Sequence, residues 1–299
     1  MKTKITLLFI ASLIFVACGE KKDTIRIATK PMTEQFILGE MLAQLIEENT
    51  NYNVEITKGI GGGTSNIHPA LLKGEFDLYP EYTGTGWLVV LKKDSFPAPE
   101  LLYKELKKEY HDKYGLEWIA PYGFNNAYSL AVSKENAQKY HLKKFSDLAQ
   151  YPEKFTLGAE YDFFEIPKGY YDLCKYYNLK FKGNKDMDIG LKYEAIKSGK
   201  IDIMNVFTTD GQLSGAGLVT LEDDKFYFPT YYCATVVRED ALKTHPGLKE
   251  ALELMQGILT DQEMSELNYQ VDVKGRSEKE VAHDFLQKKG LLHKEEGQK

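Results

Sequence analysis

Residues 74–87 read GEFDLYPEYTGTGW: an apolar run from Phe76 to Tyr79 breaks at Pro80 and leads into a cluster of tyrosine, threonine and glycine. Far downstream, residues 194–211 read EAIKSGKIDIMNVFTTDG and repeat the same spacing. In both copies an alanine (Ala70, Ala195) is followed by glycine at +4 (Gly74, Gly199) and aspartate at +7 (Asp77, Asp202). An aromatic residue stands at +12 (Tyr82, Phe207) and a threonine at +13 (Thr83, Thr208). Each copy reads as helix, turn and strand, with the aromatic–threonine pair just beyond the strand's carboxyl end. In open α/β sheets that end faces the ligand crevice. Two such units facing one another would bring Tyr82 and Phe207 to one pocket from opposite sides. The alternative is that both rings are core residues and the echo reflects only the common grammar of helix, turn and strand.

The segments around these copies alternate in the same way. TIRIAT reads as a strand, EQFILGEMLAQLIEE as a helix, YNVEITKG as a strand, SNIHPALLKG as a helix and FDLYPEY as extended chain. Such alternation predicts a parallel sheet flanked by helices. The pattern restarts near Asn126: AYSLAVS, KFTLGA and IDIMNVF are strands, interleaved with helical ENAQKYH and LKYEAIKSG. A last strand, YCATVVRE, begins near Tyr232, and helices around LKEALELMQGILT, DQEMSELNYQVD and SEKEVAHDFLQKKG close the chain. Two α/β lobes follow from this order, and the charged tail after His293 reads as a frayed end.

The first eighteen residues, MKTKITLLFIASLIFVAC, place Lys2 and Lys4 before about a dozen mostly apolar residues that end in Ala17 and Cys18, the pattern of an export signal. The run is shorter than the roughly 20 apolar residues of a membrane span. Phe-Val-Ala-Cys resembles the bacterial lipoprotein cleavage box, with Phe15 where leucine is usual, so Cys18 is the expected lipidated N-terminus. More than one acyl chain on that cysteine makes a stable anchor where a single chain does not. The formal charge of −6 becomes −8 once Lys2 and Lys4 leave with the signal, a balance that disfavours nucleic acid. Only Cys174 and Cys233 remain, enough for one bridge at most, and free thiols are expected.

TKPMTEQFILGEML, GGTS, FDLYPEYTGTG, PYGFNNAYSLAV, FTTDG and LEDDKFYFPTYYCATVVR, in this order over roughly residues 24 to 290, resemble the substrate-binding proteins of osmoprotectant ABC importers. Those proteins take up glycine betaine, carnitine, proline betaine or choline. The resemblance implies a two-lobed, type II-like periplasmic-binding-protein fold, each lobe a central sheet flanked by helices, with the ligand in the cleft between lobes. The expected boundaries are 1–18 for the signal, 24–125 with 229–299 for lobe one, and 126–228 for lobe two. The resemblance further implies a box of four rings: Tyr82 of EYTGT, Tyr128 of NNAY, Phe207 before TTDG, where tyrosine is usual, and Tyr231 of FPTY. Tyr232 would point to the opposite face of a strand. Lys30 and Thr85 are placed near the ligand's carboxylate, while Ile166 stands where some members carry an arginine and Lys168 is a candidate substitute. The implied partners are a quaternary ammonium solute and separate permease and ATPase chains, with the binding protein a monomer held outside the cytoplasm by its lipid.

A trimethylammonium group has no N–H to donate, so hydrogen-bond acceptors cannot hold it, whereas the negative faces of aromatic rings attract it from several sides. At about 2 kcal/mol per desolvated contact, four rings supply on the order of 8 kcal/mol before ordering costs, comparable with about 8.2 for micromolar binding. Phenylalanine at 207 keeps the ring face. A charge-assisted hydrogen bond lost at Ile166 would remove about 1.5 to 3 kcal/mol. A lysine at position 30 about 6 Å from the ligand's cation would repel it by roughly 3 kcal/mol at a dielectric near 20, which favours a zwitterion over choline.

Other signals carry less. GIGGGTSN (59–66) lacks the Gly-Lys-Ser/Thr of a nucleotide loop and reads as a turn whose Thr64 or Ser65 caps the next helix. Histidines 68, 111, 141, 245, 283 and 293 show no paired metal spacing, so neither metal nor cofactor is expected. Asp77 and Glu81 invite comparison with a glycosidase carboxylate pair, but the counterpart of Asp77 at Asp202 points to a structural role. A surface hydrolase or ligand-sensing domain using the same cleft is the rival reading, along with a choline-selective member of the same family.

Overall fold

The computed structural model of the chain describes residues 23–160, 163–164, 168–187 and 189–292. The signal with Cys18, Ile166 and the tail from His293 lie outside these residues.

Among the described residues, ten strands fall into two five-stranded sheets. The first contains β1 (Thr24–Ala28), β2 (Asn53–Thr57), β3 (Leu78–Tyr82), β4 (Leu116–Ile119) and β10 (Cys233–Arg238), in the order β2-β1-β3-β10-β4. The second contains β5 (Tyr128–Ser133), β6 (Thr156–Ala159), β7 (Gly183–Asp186), β8 (Ile203–Phe207) and β9 (Leu218–Thr220), in the order β7-β6-β8-β5-β9. The two orders correspond strand for strand. Both sheets are mixed, which corrects the expectation of parallel sheets. β1, β2 and β3 run parallel, but β10 lies antiparallel to β3; β6, β7 and β8 run parallel, but β5 lies antiparallel to β8. The reason is the route of the chain. β5 and β10 are each the first strand after a crossing from the other sheet, so each starts beside the carboxyl end of its sheet's central strand and runs back along it.

Apolar clusters cover both faces of each sheet. Ile37, Leu38, Met41, Leu42 and Leu45 of helix Thr33–Asn49 pack with Phe285 and Leu286 of helix Glu278–Lys288 against one face of the first sheet. Leu102, Leu106 and Tyr110 of helix Pro99–Tyr114 join Trp118 on the other. That helix begins at a proline in its first position and ends at Gly115, whose φ of 62° gives the left-handed cap. Cys174 and Cys233 are free, Cys233 fully buried in β10.

The repeated aspartates do the same structural work in both sheets. Asp77 Oδ2 accepts the Arg26 backbone N–H at 2.8 Å, and Asp202 Oδ2 accepts the Thr156 backbone N–H at 2.8 Å. In each case the side chain before the central strand satisfies a backbone donor of the adjacent parallel strand. Asp77 adds a two-point ion pair with Arg26, with Oδ1 to Nη2 at 3.0 Å. Replacing Asp77 by alanine leaves a buried donor without a partner and is expected to cost about 2–3 kcal/mol, against about 1 for the less buried Asp202→Ala. Urea denaturation of the two variants measures the difference, and equal losses would remove the ion pair from this account.

Candidate functional site: an aromatic cavity at the facing ends of the sheets

Tyr82 ends β3 and Phe207 ends β8, so the two halves of the sequence repeat deliver a ring each to the carboxyl end of their sheet's central strand. The register then adds a neighbour to each. Cys233 lies opposite Tyr82, and Tyr128 lies opposite Phe207, with ring centroids 4.6 Å apart and planes inclined by 32°. Behind Tyr128 stand Phe163 and Phe228, at 5.6 and 5.7 Å between centroids, which fix its orientation. Tyr231 comes from the crossing that leads back into β10. Its backbone N–H donates to Asn125 Oδ1 at 2.6 Å, and its ring lies on Gly84, where an added Cβ would come within 2.5 Å of Cε1. Gly84 is therefore needed for close approach, not for a special backbone angle.

These side chains bound a cavity of about 240 Å³ lined by Met32, Tyr82, Thr85, Asn126, Tyr128, Phe207 and Tyr231. All four rings of the sequence reading and Thr85 meet there; Tyr232 does not line it. Tyr82 is the most enclosed of the rings at 5% exposure, whereas Phe207 is 43% exposed. The cavity adjoins a larger one of about 690 Å³, which shares Tyr128 and Tyr231 and continues along Phe96, Phe226 and Lys168.

Lys30 is placed elsewhere. Its Nζ is buried against Glu81 Oε1 and stands 4.6 Å from the centroid of the Tyr82 ring, and the residue is not part of the cavity lining. Its charge is thus matched by a carboxylate of the protein itself. Glu81 Oε2 also accepts from the Thr64 hydroxyl at 2.6 Å. That bond accounts for a second departure: helix Thr64–Leu72 starts from Gly63 without a side-chain cap, because the Thr64 hydroxyl is engaged with Glu81. Asp77 and Glu81 are each committed to a cation and to backbone N–H groups, Asp77 to Arg26 and Glu81 to Lys30, which leaves no free acid–base pair.

Three residues that sequence reasoning missed complete the site. Met32 and Asn126 line the cavity. Glu34, in the first turn of helix Thr33–Asn49, lies behind it and receives the Tyr82 hydroxyl on Oε1 at 2.5 Å. The Asn126 amide donates to the same oxygen at 3.0 Å, and the Asn268 amide to Oε2 at 3.3 Å. Burial raises the Glu34 carboxyl above its ordinary value, and the bonds from Tyr82, Thr209, Asn126 and Asn268 oppose that rise. Burial, with the nearby Glu34 charge, pushes the Tyr82 hydroxyl well above its usual range, so it is a fixed donor. The signal for Glu34 in the sequence was only a polar residue within an otherwise apolar helical stripe.

The model of the substrate-binding domain of ABC-type glycine betaine transport systems matches residues 23–288. The chain is 45% identical over 265 residues to the ergothioneine transport permease/ergothioneine binding protein of Helicobacter pylori, covering 89% of this chain and 47% of that protein; it spans about half the length of that relative. It is 34% identical to the carnitine transport binding protein of Listeria monocytogenes over 94% of both chains. A solved structure described as a glycine betaine/carnitine/choline ABC transporter superposes with a TM-score of 0.86 at 31% identity, over 90% of this chain and 100% of that one. Its relatives and fold are those of transporter substrate-binding proteins, not enzymes. A repeated helix–turn–strand unit, two sheets of corresponding order and a match over nearly the whole described chain agree: the protein belongs to the family of substrate-binding domains of ABC-type glycine betaine transport systems.

Proposed function

We propose that the protein captures a zwitterionic quaternary ammonium solute, such as glycine betaine, carnitine or proline betaine, in the cavity between its sheets and presents it to a separate permease and ATPase. The observation that carries this reading is the meeting of Tyr82, Tyr128, Phe207 and Tyr231 around one small void. Ring faces contributed from both sheets attract a cation that cannot donate a hydrogen bond. Residues 24–125 with 229–299 form one lobe and 126–228 the other, and the ligand is held by their closure. Support comes from the chain's two crossings between sheets, which touch at the Asn125–Tyr232 bridge. Cys18 carries the lipid that keeps a monomeric receptor at the outer face of the membrane, on the strength of the leader sequence.

Thr85, on the cavity wall, takes the solute's carboxylate. Lys168, on the adjoining cavity, supplies the countercharge, since Lys30 is already neutralised by Glu81. A second reading rests on that larger cavity. A betaine with a bulky body would place its ammonium among the rings and its body along Phe96 and Phe226. The relative whose name includes ergothioneine, a betaine of this kind, supports it.

Calorimetric titration with glycine betaine, carnitine, ergothioneine and choline tests the reading; absence of binding by all four overturns it, and turnover of a choline or betaine ester would favour the hydrolase alternative. Tyr82→Ala is expected to weaken binding by at least about 30-fold, the worth of roughly 2 kcal/mol, while Phe207→Tyr changes it by less than about threefold. Equal small effects would mean that these rings do not hold the ligand. Gly84→Ala displaces the Tyr231 ring and is expected to cost about tenfold in affinity with an unchanged melting temperature. Lys168→Ala should lower carnitine affinity about tenfold and leave choline unaffected. Loss of both would assign Lys168 to the fold instead of the carboxylate.

A further inference from the structure

We infer that Glu34 is a positioning residue of the aromatic cavity, setting the Tyr82 ring as a cation acceptor through the Tyr82 hydroxyl and fixing that ring to both halves of the molecule. The inference rests on the quaternary ammonium reading of the cavity. Its basis is the set of groups that converge on one buried carboxyl. The Tyr82 hydroxyl reaches Oε1 at 2.5 Å from the end of β3, and the Asn126 amide reaches the same oxygen at 3.0 Å from the crossing between sheets. The Asn268 amide reaches Oε2 at 3.3 Å from helix Asp261–Asp272 and also donates to the Thr209 carbonyl at 2.8 Å, two residues beyond Phe207. Glu34 is 4% exposed, and each of these partners acts as donor to it.

Two consequences follow from that arrangement. A phenol that donates a hydrogen bond to a carboxyl oxygen draws electron density into its ring, which strengthens the attraction of the ring face for a cation. The bond also holds the ring in one rotamer, so that the strengthened face and not the edge is what a cation meets. Asn126 lines the same cavity, and Thr209 follows Phe207, so a single carboxyl ties walls contributed from both sheets. Phe207 has no such link, because it carries no hydroxyl.

The experiment compares choline chloride with 3,3-dimethylbutan-1-ol, whose tert-butyl group has the shape of trimethylammonium without its charge. Both are titrated into the wild type, Glu34→Gln, Tyr82→Phe and the double variant, with thermal melts confirming folding. Glu34→Gln and Tyr82→Phe are each expected to lower choline affinity about tenfold, while the uncharged alcohol changes by less than about twofold. The double variant should lose no more than either single one, because both act through the same bond. Should Glu34→Gln fail to fold, Tyr82→Phe alone decides, since it removes the hydroxyl and leaves the carboxyl in place. Unchanged choline affinity in Tyr82→Phe, additive losses in the double variant, or equal losses for choline and the alcohol would each overturn the inference. A wild type that binds no quaternary ammonium compound would overturn the cavity reading itself, an outcome distinct from the others.

Discussion

The architecture depends on one topological constraint: each sheet receives a strand from a chain segment that has just crossed from the other. β10 lies against β3, and β5 against β8, both antiparallel and both reaching the sheet at the end that bears the aromatic cavity. That pairing puts Tyr128 beside Phe207 and leaves Tyr231 on the crossing two residues before Cys233, the partner of Tyr82. The aromatic cavity is therefore a property of strand pairing. A register shift of one residue in β5 would turn Tyr128 to the opposite face of the sheet, away from Phe207. The crossings themselves are bound together through Asn125, whose side-chain oxygen accepts from the Tyr231 backbone N–H and whose carbonyl accepts from the Thr208 hydroxyl.

A second device recurs below the rings. In the first sheet Lys30 is paired with Glu81; in the second, Lys192 is paired with Glu160 and donates to Asn205 at its carbonyl (2.7 Å) and its side-chain oxygen (2.9 Å). Glu81 immediately precedes Tyr82, and Asn205 stands two residues before Phe207. A buried cation costs several kcal/mol unless it is well met; Lys192 has a carboxylate and two further acceptors, and Lys30 has a carboxylate and the face of the Tyr82 ring. Each pair fixes the last turn of backbone before an aromatic residue without bringing a net charge into the cavity.

The legible part of the sequence was the part with a period. The helix–turn–strand echo identified Asp77 with Asp202 and Tyr82 with Phe207, and the structure gives each pair equivalent places in its sheet. β7, GNKD, was not legible, because all four residues are exposed and no apolar alternation marks it. The antiparallel course of β5 and β10 was hidden for a different reason: hydrophobic patterning reports burial, not direction. The distant partners of Lys30, Glu34 and Thr64 were out of reach altogether. A lysine at the end of a strand reads the same whether it faces solvent or a glutamate 51 positions away, and only the folded chain brings Glu81 to it.

Those partners also explain why two rings at equivalent positions tolerate different chemistry. The Tyr82 hydroxyl lies in a buried site with Glu34 as its acceptor, so the phenol has a defined role and its loss would leave a carboxyl oxygen short of a donor. Phe207 stands at 43% exposure with its face against Tyr128. A hydroxyl there would lie near solvent and gain little from the protein, which is why phenylalanine suffices. The two halves supply equivalent backbone positions, and the first places the buried Glu34 carboxyl behind its ring. The cavity is thus asymmetric: the Tyr82 ring is tied through its hydroxyl to Glu34, whereas Phe207 meets Tyr128 ring against ring.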